Sequence, residues 1–179
     1  MKYLLLGEET KRLKFRLLEE SDFDTWVEMF KKENVASYLG LDETKSPEEL
    51  CKIWFEKGRL RLQNNTGGMN VLIDKVSNQF IGQCGIVVQE IEGKTFFEIG
   101  YSILPKFWGM GYASEASQKC RDFAFENNFS DYLISMINIE NIGSQKVALR
   151  NGMKLERETI SKGDAVYIFG IHKSDWESK

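Results

Sequence analysis

The order of hydrophobic patterns along the 179 residues predicts an α/β fold, a single domain in which a mixed, mostly antiparallel sheet is flanked by helices. Runs of period two alternate with stripes of period 3.6, the two signatures of half-buried strands and amphipathic helices. Strand-like runs follow one another from Asn70 to Leu104 with only short turns between them, as in a meander of hairpins. The last of these runs into Pro105, then two glycines spaced by one residue, then an amphipathic helix. The order read from this is β-α-α-β-β-β-α-β-α-β-β, with no internal repeat and no domain boundary between residues 1 and 179.

Each element has its own reason. Leu13, Phe15 and Leu17 alternate with Lys14 and Arg16, a strand with one buried face. Ser21 or Asp22 is placed to cap a helix whose Phe23, Trp26, Val27 and Phe30 share one face. Ser46-Pro47-Glu48-Glu49 starts a second helix: a hydroxyl cap, proline in the first turn, then acids favoured by the dipole. Leu50, Ile53, Trp54 and Leu60 would form its buried stripe, and Asn64 to Gly68 end it. The meander comprises Asn70 to Val76, Phe80 to Glu90 and Thr95 to Leu104, with turns at Ser77-Asn78 and Glu92-Gly93. Gly82 and Gly85 inside the middle run suggest a bulge. Ala113, Ala116, Cys120, Phe123 and Ala124 make the next helical face, Tyr132 to Ile139 a buried strand, and Asn141 to Asn151 a short helix closed by Gly152. Met153 to Ile160 and Ala165 to Ile171 form a last hairpin around Ser161-Lys162-Gly163-Asp164.

Composition excludes several classes of function. A formal charge of −3, with Lys and Arg scattered among acids, gives no basic face for nucleic acid. No stretch approaches the ~20 apolar residues of a membrane span, and Met1 to Leu6 is too short for a signal peptide. Cys51, Cys84 and Cys120 show neither Cys-x-x-Cys nor Cys/His spacing, so neither a disulfide framework nor a metal site is expected. The expected setting is cytoplasmic.

The stretch Glu98 to Ala116 carries the chemistry. A glycine-rich helix N-terminus binds anions, because its first amides lack intrahelical partners and the dipole favours negative charge. A P-loop would place Lys-Ser or Lys-Thr after the last glycine, whereas Tyr112-Ala113 follow Gly111. A dinucleotide fold would show Gly-x-Gly-x-x-Gly after the first strand of a βαβ unit; here the third glycine is replaced by Ser114 and a meander precedes. A plain helix entry is the remaining alternative.

Pro105 to Ala116 resembles the acetyl-coenzyme A pyrophosphate loop of GNAT-fold N-acetyltransferases, in the branch similar to RimJ/RimL. Thr10 to Arg16 resembles that family's first strand, Ile81 to Ile86 its third, and Asn141-Ile142-Gly143-Ser144 with Gly152-Met153 its last helix and sixth strand. The resemblance implies acetyl-CoA as co-substrate and no metal. Its pyrophosphate would meet the amides of Trp108, Gly109, Met110, Gly111, Tyr112 and Ala113, beside Lys106. Where the family often carries a cation, Met110 stands instead. Pantetheine would enter between the strands Glu98–Leu104 and Tyr132–Ile139 and pair with the backbone of Ile99, Tyr101 and Ile103, with Asn141 and Ser144 beside it.

Acetyl transfer to an amine needs a neutral nucleophile, and an amine of pKa about 8–10 is largely protonated at neutral pH. Glu98, a carboxylate interrupting an apolar strand, is the candidate base; its alternative is a structural strand-edge acid. Ser144 is the candidate donor to the departing thiolate, and helix capping the alternative for it and Asn141. Many relatives place a tyrosine acid seven residues after an asparagine, but position 148 is Ala148. His172 reads as a strand-end residue, Cys120 and Cys84 as inert core thiols, and Trp26, Phe30, Tyr38 and Trp54 mostly as core with one or two lining an acceptor pocket. The resemblance thus implies direct acetyl transfer in a ternary complex to a primary amine, on a protein N-terminus or a small molecule, by a monomer or homodimer. A non-catalytic acyl-CoA-binding sensor or interaction module on the same fold is the other reading.

Overall fold

A computed structural model describes residues 2–91 and 93–178. Strand β1 (Leu13–Arg16) leads through a 3-10 turn at Glu20–Asp22 into helices α1 (Phe23–Phe30), α2 (Val35–Tyr38) and α3 (Pro47–Gln63). The meander β2 (Gly67–Asp74), β3 (Phe80–Ile91) and β4 (Lys94–Ile103) follows. Then come α4 (Tyr112–Glu126), β5 (Tyr132–Asn138), α5 (Ile142–Arg150), β6 (Lys154–Ser161), β7 (Asp164–His172) and α6 (Lys173–Glu177). One sheet holds all seven strands in the order β1-β2-β3-β4-β5-β7-β6. Every neighbouring pair is antiparallel except β4 with β5.

The sheet separates two apolar layers. On one face Leu13, Leu72, Ile86, Ile99 and Leu133 pack with Ala116, Cys120 and Ala124 of α4. On the other, Trp26, Phe30, Leu50, Phe55 and Leu104 join α1 and α3. Phe107, just past β4, touches both layers. Burial of this kind contributes roughly 25 cal/mol per Å² of apolar surface, so Phe107 anchors the chain where the sheet ends.

Several local expectations change. Asp22 does not cap α1: its carboxylate accepts from Arg16 at 2.6 and 2.7 Å and from the Glu19 N–H at 2.8 Å, closing the 3-10 turn before the helix. The buried stripe of α3 is Leu50, Cys51 and Phe55, with Ile53 (37 %) and Leu60 (47 %) exposed. Trp54 is half-buried against Trp26 at 5.9 Å, which fixes the rotation of α3 and turns Ile53 outward. Strand β2 begins at Gly67, because both glycines pair with Ile86 and Val87; a Cβ at Gly67 would lie 2.1 Å from the Ile86 carbonyl oxygen. The irregularity in β3 skips Ile81, next to Gly82, while Gly85 is regularly paired. Helices α2 and α6 lacked a sequence signal. Of the expected turn at Glu92-Gly93, Glu92 lies outside the described residues; Gly93 has φ +73°.

Ser46 caps α3 as its sequence indicates, accepting from the Glu49 N–H at 3.2 Å while Glu49 accepts from the Ser46 N–H at 2.9 Å. Lys162 and Gly163 both have positive φ (54° and 94°), the conformation that joins β6 and β7 in a tight hairpin. No helix among the described residues is long and apolar enough to cross a membrane.

Candidate active site

Strands β4 and β5 pair only at Phe97–Leu133 and Glu98–Ile134. β4 stays in register with β3 as far as Ile103, and β5 with β7 as far as Asn138. Each follows the twist of its antiparallel partner, so the two diverge. At the fork the Ser135 hydroxyl donates to the Ile99 carbonyl at 2.7 Å, a side chain standing in for a ladder bond. Beyond it, Gly100 to Ile103 have no strand partner on the β5 side.

A cavity of about 630 Å³ opens at this fork. Glu98, Ile99, Tyr101, Asn141 and Ser144 all line it, so the structure brings these sequence-predicted residues together. Ile103 and the segment Lys106 to Ala113 lie outside the cavity wall, past the end of β4.

Glu98 is held from two sides. Its Oε2 accepts from Gln89 Nε2 at 2.7 Å, and the Met136 N–H approaches Oε1 at 3.4 Å. Gln89 in turn accepts from Arg61 Nη2 at 3.1 Å, while Arg61 Nη1 donates to the Val88 carbonyl at 3.1 Å. This relay from α3 to β4 orients Gln89 and leaves the carboxylate facing the cavity. Ile99 is core, 1 % exposed, so only its backbone faces the fork. The Tyr101 hydroxyl donates to the Ser144 carbonyl at 2.7 Å; burial, then Cys84 and Glu98, push its pKa up, so it stays a phenol. Asn141 Oδ1 accepts from the Ser144 N–H at 3.1 Å, an N-cap that fixes the start of α5 at the cavity edge.

The glycine turn is built from the other side. The Trp108 indole N–H donates to the Ile103 carbonyl at 2.6 Å, and the Trp108 and Met110 N–H groups turn inward to Pro105 and Phe107 at 3.1 and 3.4 Å. The N–H groups of Gly109, Gly111, Tyr112 and Ala113 donate to no acceptor among the described residues. Gly109 (φ +78°) and Gly111 (φ +82°) sit in the left-handed region, where only glycine is unstrained. A Cβ at Gly109 would meet nothing within 4 Å. One at Gly111 would come 3.5 Å from Arg12 Nη2, and both glycines are exposed, so the turn leaves room for an anionic group on its glycine side.

Arg12 was not among the expected site residues. Its guanidinium lies 4.2 Å from the centre of the Tyr112 ring, donates to the Met110 carbonyl at 3.0 Å and pairs with Glu115 at 2.6 Å. Glu115 also accepts from the Arg12 N–H (2.8 Å) and Thr10 Oγ (2.6 Å). Burial raises the Glu115 pKa, but these bonds outweigh it and hold the carboxyl below its ordinary 4.5. The clasp staples the chain just before β1 to the first turn of α4. No spacing rule connects residues 103 positions apart. It places a cation beside the glycines where Met110 supplies none.

Lys57 was missed as well. It lines the cavity from α3, and burial, then the neighbouring Lys162 and Arg61, push its pKa down to about 8 against the pull of Glu98. A lysine on a helix carries no mark of this in sequence. His172 ends β7 and stacks on Tyr132 at 4.6 Å. Cys51 is buried, its thiol pushed up to about 12; Cys84 and Cys120 are buried with sulfurs 3.4 Å apart. Among the described residues no group of His, Cys, Asp or Glu could hold a metal ion.

A forked parallel strand pair beside an open amide turn defines the class to which sequence comparison also assigns the chain. Residues 12–154 match the acetyltransferase (GNAT) domain model. The protein belongs to the GNAT acetyltransferase family. It is 34 % identical over 159 residues to the uncharacterized protein YkkB of Bacillus subtilis, covering 86 % of this chain and 87 % of that one. The acetyltransferase of Agrobacterium tumefaciens shares the fold with a TM-score of 0.76 at 24 % identity, covering 96 % and 97 % of the two chains. RimL, a ribosomal alpha-N-protein acetyltransferase solved in complex with coenzyme A, superposes with a TM-score of 0.71 at 22 % identity, over 93 % and 97 %.

Proposed function

We propose that the protein moves the acetyl group of acetyl-CoA to a primary amine by direct transfer in a ternary complex, as an N-acetyltransferase of the RimJ/RimL-like branch. The observation that carries this reading is the fork: the unpaired edge of β4 runs from the cavity holding Glu98 towards the open amides of Gly109, Gly111, Tyr112 and Ala113. The free amides would hold the pyrophosphate, with Lys106 supplying charge and the Arg12–Glu115 clasp holding the turn in place, and the edge from Ile99 to Ile103 would take the pantetheine arm.

Glu98 lines the cavity as a fixed acceptor, one oxygen held by Gln89, and would draw the proton from the acceptor ammonium directly or through water. Ser144 at the start of α5 would donate to the departing thiolate; Tyr101 has its proton committed to the Ser144 carbonyl. The acceptor enters between α3, the α2–α3 connection and the β6–β7 hairpin, which form the cavity's other walls. A protein N-terminus and a small amine both suit that opening.

The test is thiol release from acetyl-CoA over an amine panel, with wild type compared with Glu98→Gln and Ser144→Ala. Loss of turnover with unchanged acetyl-CoA affinity supports the assignment. Tight acetyl-CoA binding with no amine acetylated favours instead the acyl-CoA-binding module.

A further inference from the structure

At one end of the cavity three cations of its lining, Lys57, Arg61 and Lys162, come together. Lys57 and Arg61 stand one turn apart on α3 and therefore on one face. Lys162, at the tip of the β6–β7 hairpin, reaches the same space: the Lys57 ammonium is faced by the Lys162 ammonium and by Arg61. Lys162 lies against Gly40, where a Cβ would come within 3.3 Å of its Cδ, so the missing side chain leaves room for the lysine stem. Arg61 is fixed by the Val88 carbonyl and Gln89.

Among the described residues no carboxylate comes within ion-pair distance of these three cations. Glu98 is the one acid whose field acts on both Lys57 and Arg61. Of the four other acids in the cavity lining, Glu20 is paired with Arg59 at 3.6 Å, and Glu19, Glu90 and Asp164 make no ion pair with Lys57, Arg61 or Lys162 among the described residues. Gln83, fully buried in the cavity wall, accepts from the Trp54 indole at 3.1 Å, and its Nε2 has no acceptor among the described residues. Cations converging without a counter-ion in a half-closed cavity repel one another, and a bound anion relieves that repulsion.

We propose that Lys57, Arg61 and Lys162 form the seat of a carboxylate carried by the acceptor, making the preferred substrate an amino-carboxylate rather than a polycationic amine. The proposal rests on the acetyltransferase reading for which end of the acceptor reacts: the amine turns to Glu98 and its carboxylate to the three cations. An α-amino acid and an acidic side chain at a protein N-terminus share this chemistry.

Calorimetric titration of the protein saturated with free CoA tests it without turnover. The probes are glycine against glycinamide, the amidated peptides Glu-Ala-Ala against Gln-Ala-Ala, and spermidine. In at least one pair the carboxylate-bearing member is expected to bind at least tenfold more tightly than its carboxamide counterpart, about 1.4 kcal/mol. That advantage is expected to vanish in Lys162→Gln and persist in Lys31→Gln, which removes the same charge elsewhere. A preference in the glycine pair identifies a free amino acid as the source, and one in the peptide pair an acidic N-terminus. Equal affinities within both pairs, tighter binding of spermidine, no detectable binding of any probe, or a preference that survives Lys162→Gln would each overturn the seat. A separate titration with acetyl-CoA reads the transferase assignment independently, since it does not depend on Lys162.

Discussion

Glu98 sits among Gln89, Met136 and the cavity, and its two oxygens have separate duties: Oε2 is held and Oε1 only weakly engaged. Glu98→Gln keeps the shape and removes the proposed base, so kcat is expected to fall by roughly 10²–10⁴-fold in initial-rate assays with acetyl-CoA Kd unchanged. An equal rise in Kd would move Glu98 from the chemistry to cofactor binding. Lys57 makes a prediction in pH. Its folded pKa of about 8 lies below the ordinary 10.5, so the unfolded chain binds the proton more tightly. The charged lysine therefore costs stability below pH 8, and that cost is relieved as pH rises from about 8 towards 10.5. Denaturant melts of wild type and Lys57→Met should show wild type gaining on the variant across that window; parallel curves would contradict the buried, cation-faced placement. Glu98 stood out in sequence because a carboxylate interrupts an apolar strand. Lys57 did not, since its environment is made by a hairpin about a hundred residues away.

At the scale of elements, the glycine turn is held by the clasp between Arg12 and the first turn of α4. Glu115→Gln removes the ion pair and is expected to cost about 1–3 kcal/mol, read by chemical denaturation. The Glu115 pKa is lowered in the fold, so its contribution is present above the ordinary 4.5 and lost as pH falls through the folded value. Acid melts of Glu115→Gln should lack that component. The cap of α3 gives a simpler case: Ser46→Ala is expected to lower stability by ~1 kcal/mol in the same assay. Capping, proline stops and glycine turns act between near neighbours, which is why α3, the end of β4 and the start of α4 were readable from their residues. The rotation of α3 was not, because Trp54 is placed by Trp26 and Gln83 rather than by its own helix. The cap expected at Asp22 failed for a similar reason, as Arg16 from β1 claims the carboxylate.

In the whole molecule, the single parallel junction of the sheet makes the candidate site. An antiparallel meander and a separate antiparallel pair meet there, touch at two register positions and part. The order of elements was legible because period and turn chemistry are local. The fork was visible only through family resemblance, since the length over which two strands stay paired depends on what each pairs with on its far side. Of the candidate site's three contributions, β4 and α5 meet at that fork, and the turn before α4 lies past the end of β4. Titration of the folded protein with acetyl-CoA, with CoA and ATP as comparisons and Gly111→Trp as the blocked turn, tests this most directly. Saturable one-site binding of acetyl-CoA, silence with ATP, and loss of binding in a folded Gly111→Trp protein are the predicted results. Unchanged affinity in that variant, or no binding by the wild type, would contradict the account and leave the glycine turn as a helix entry alone.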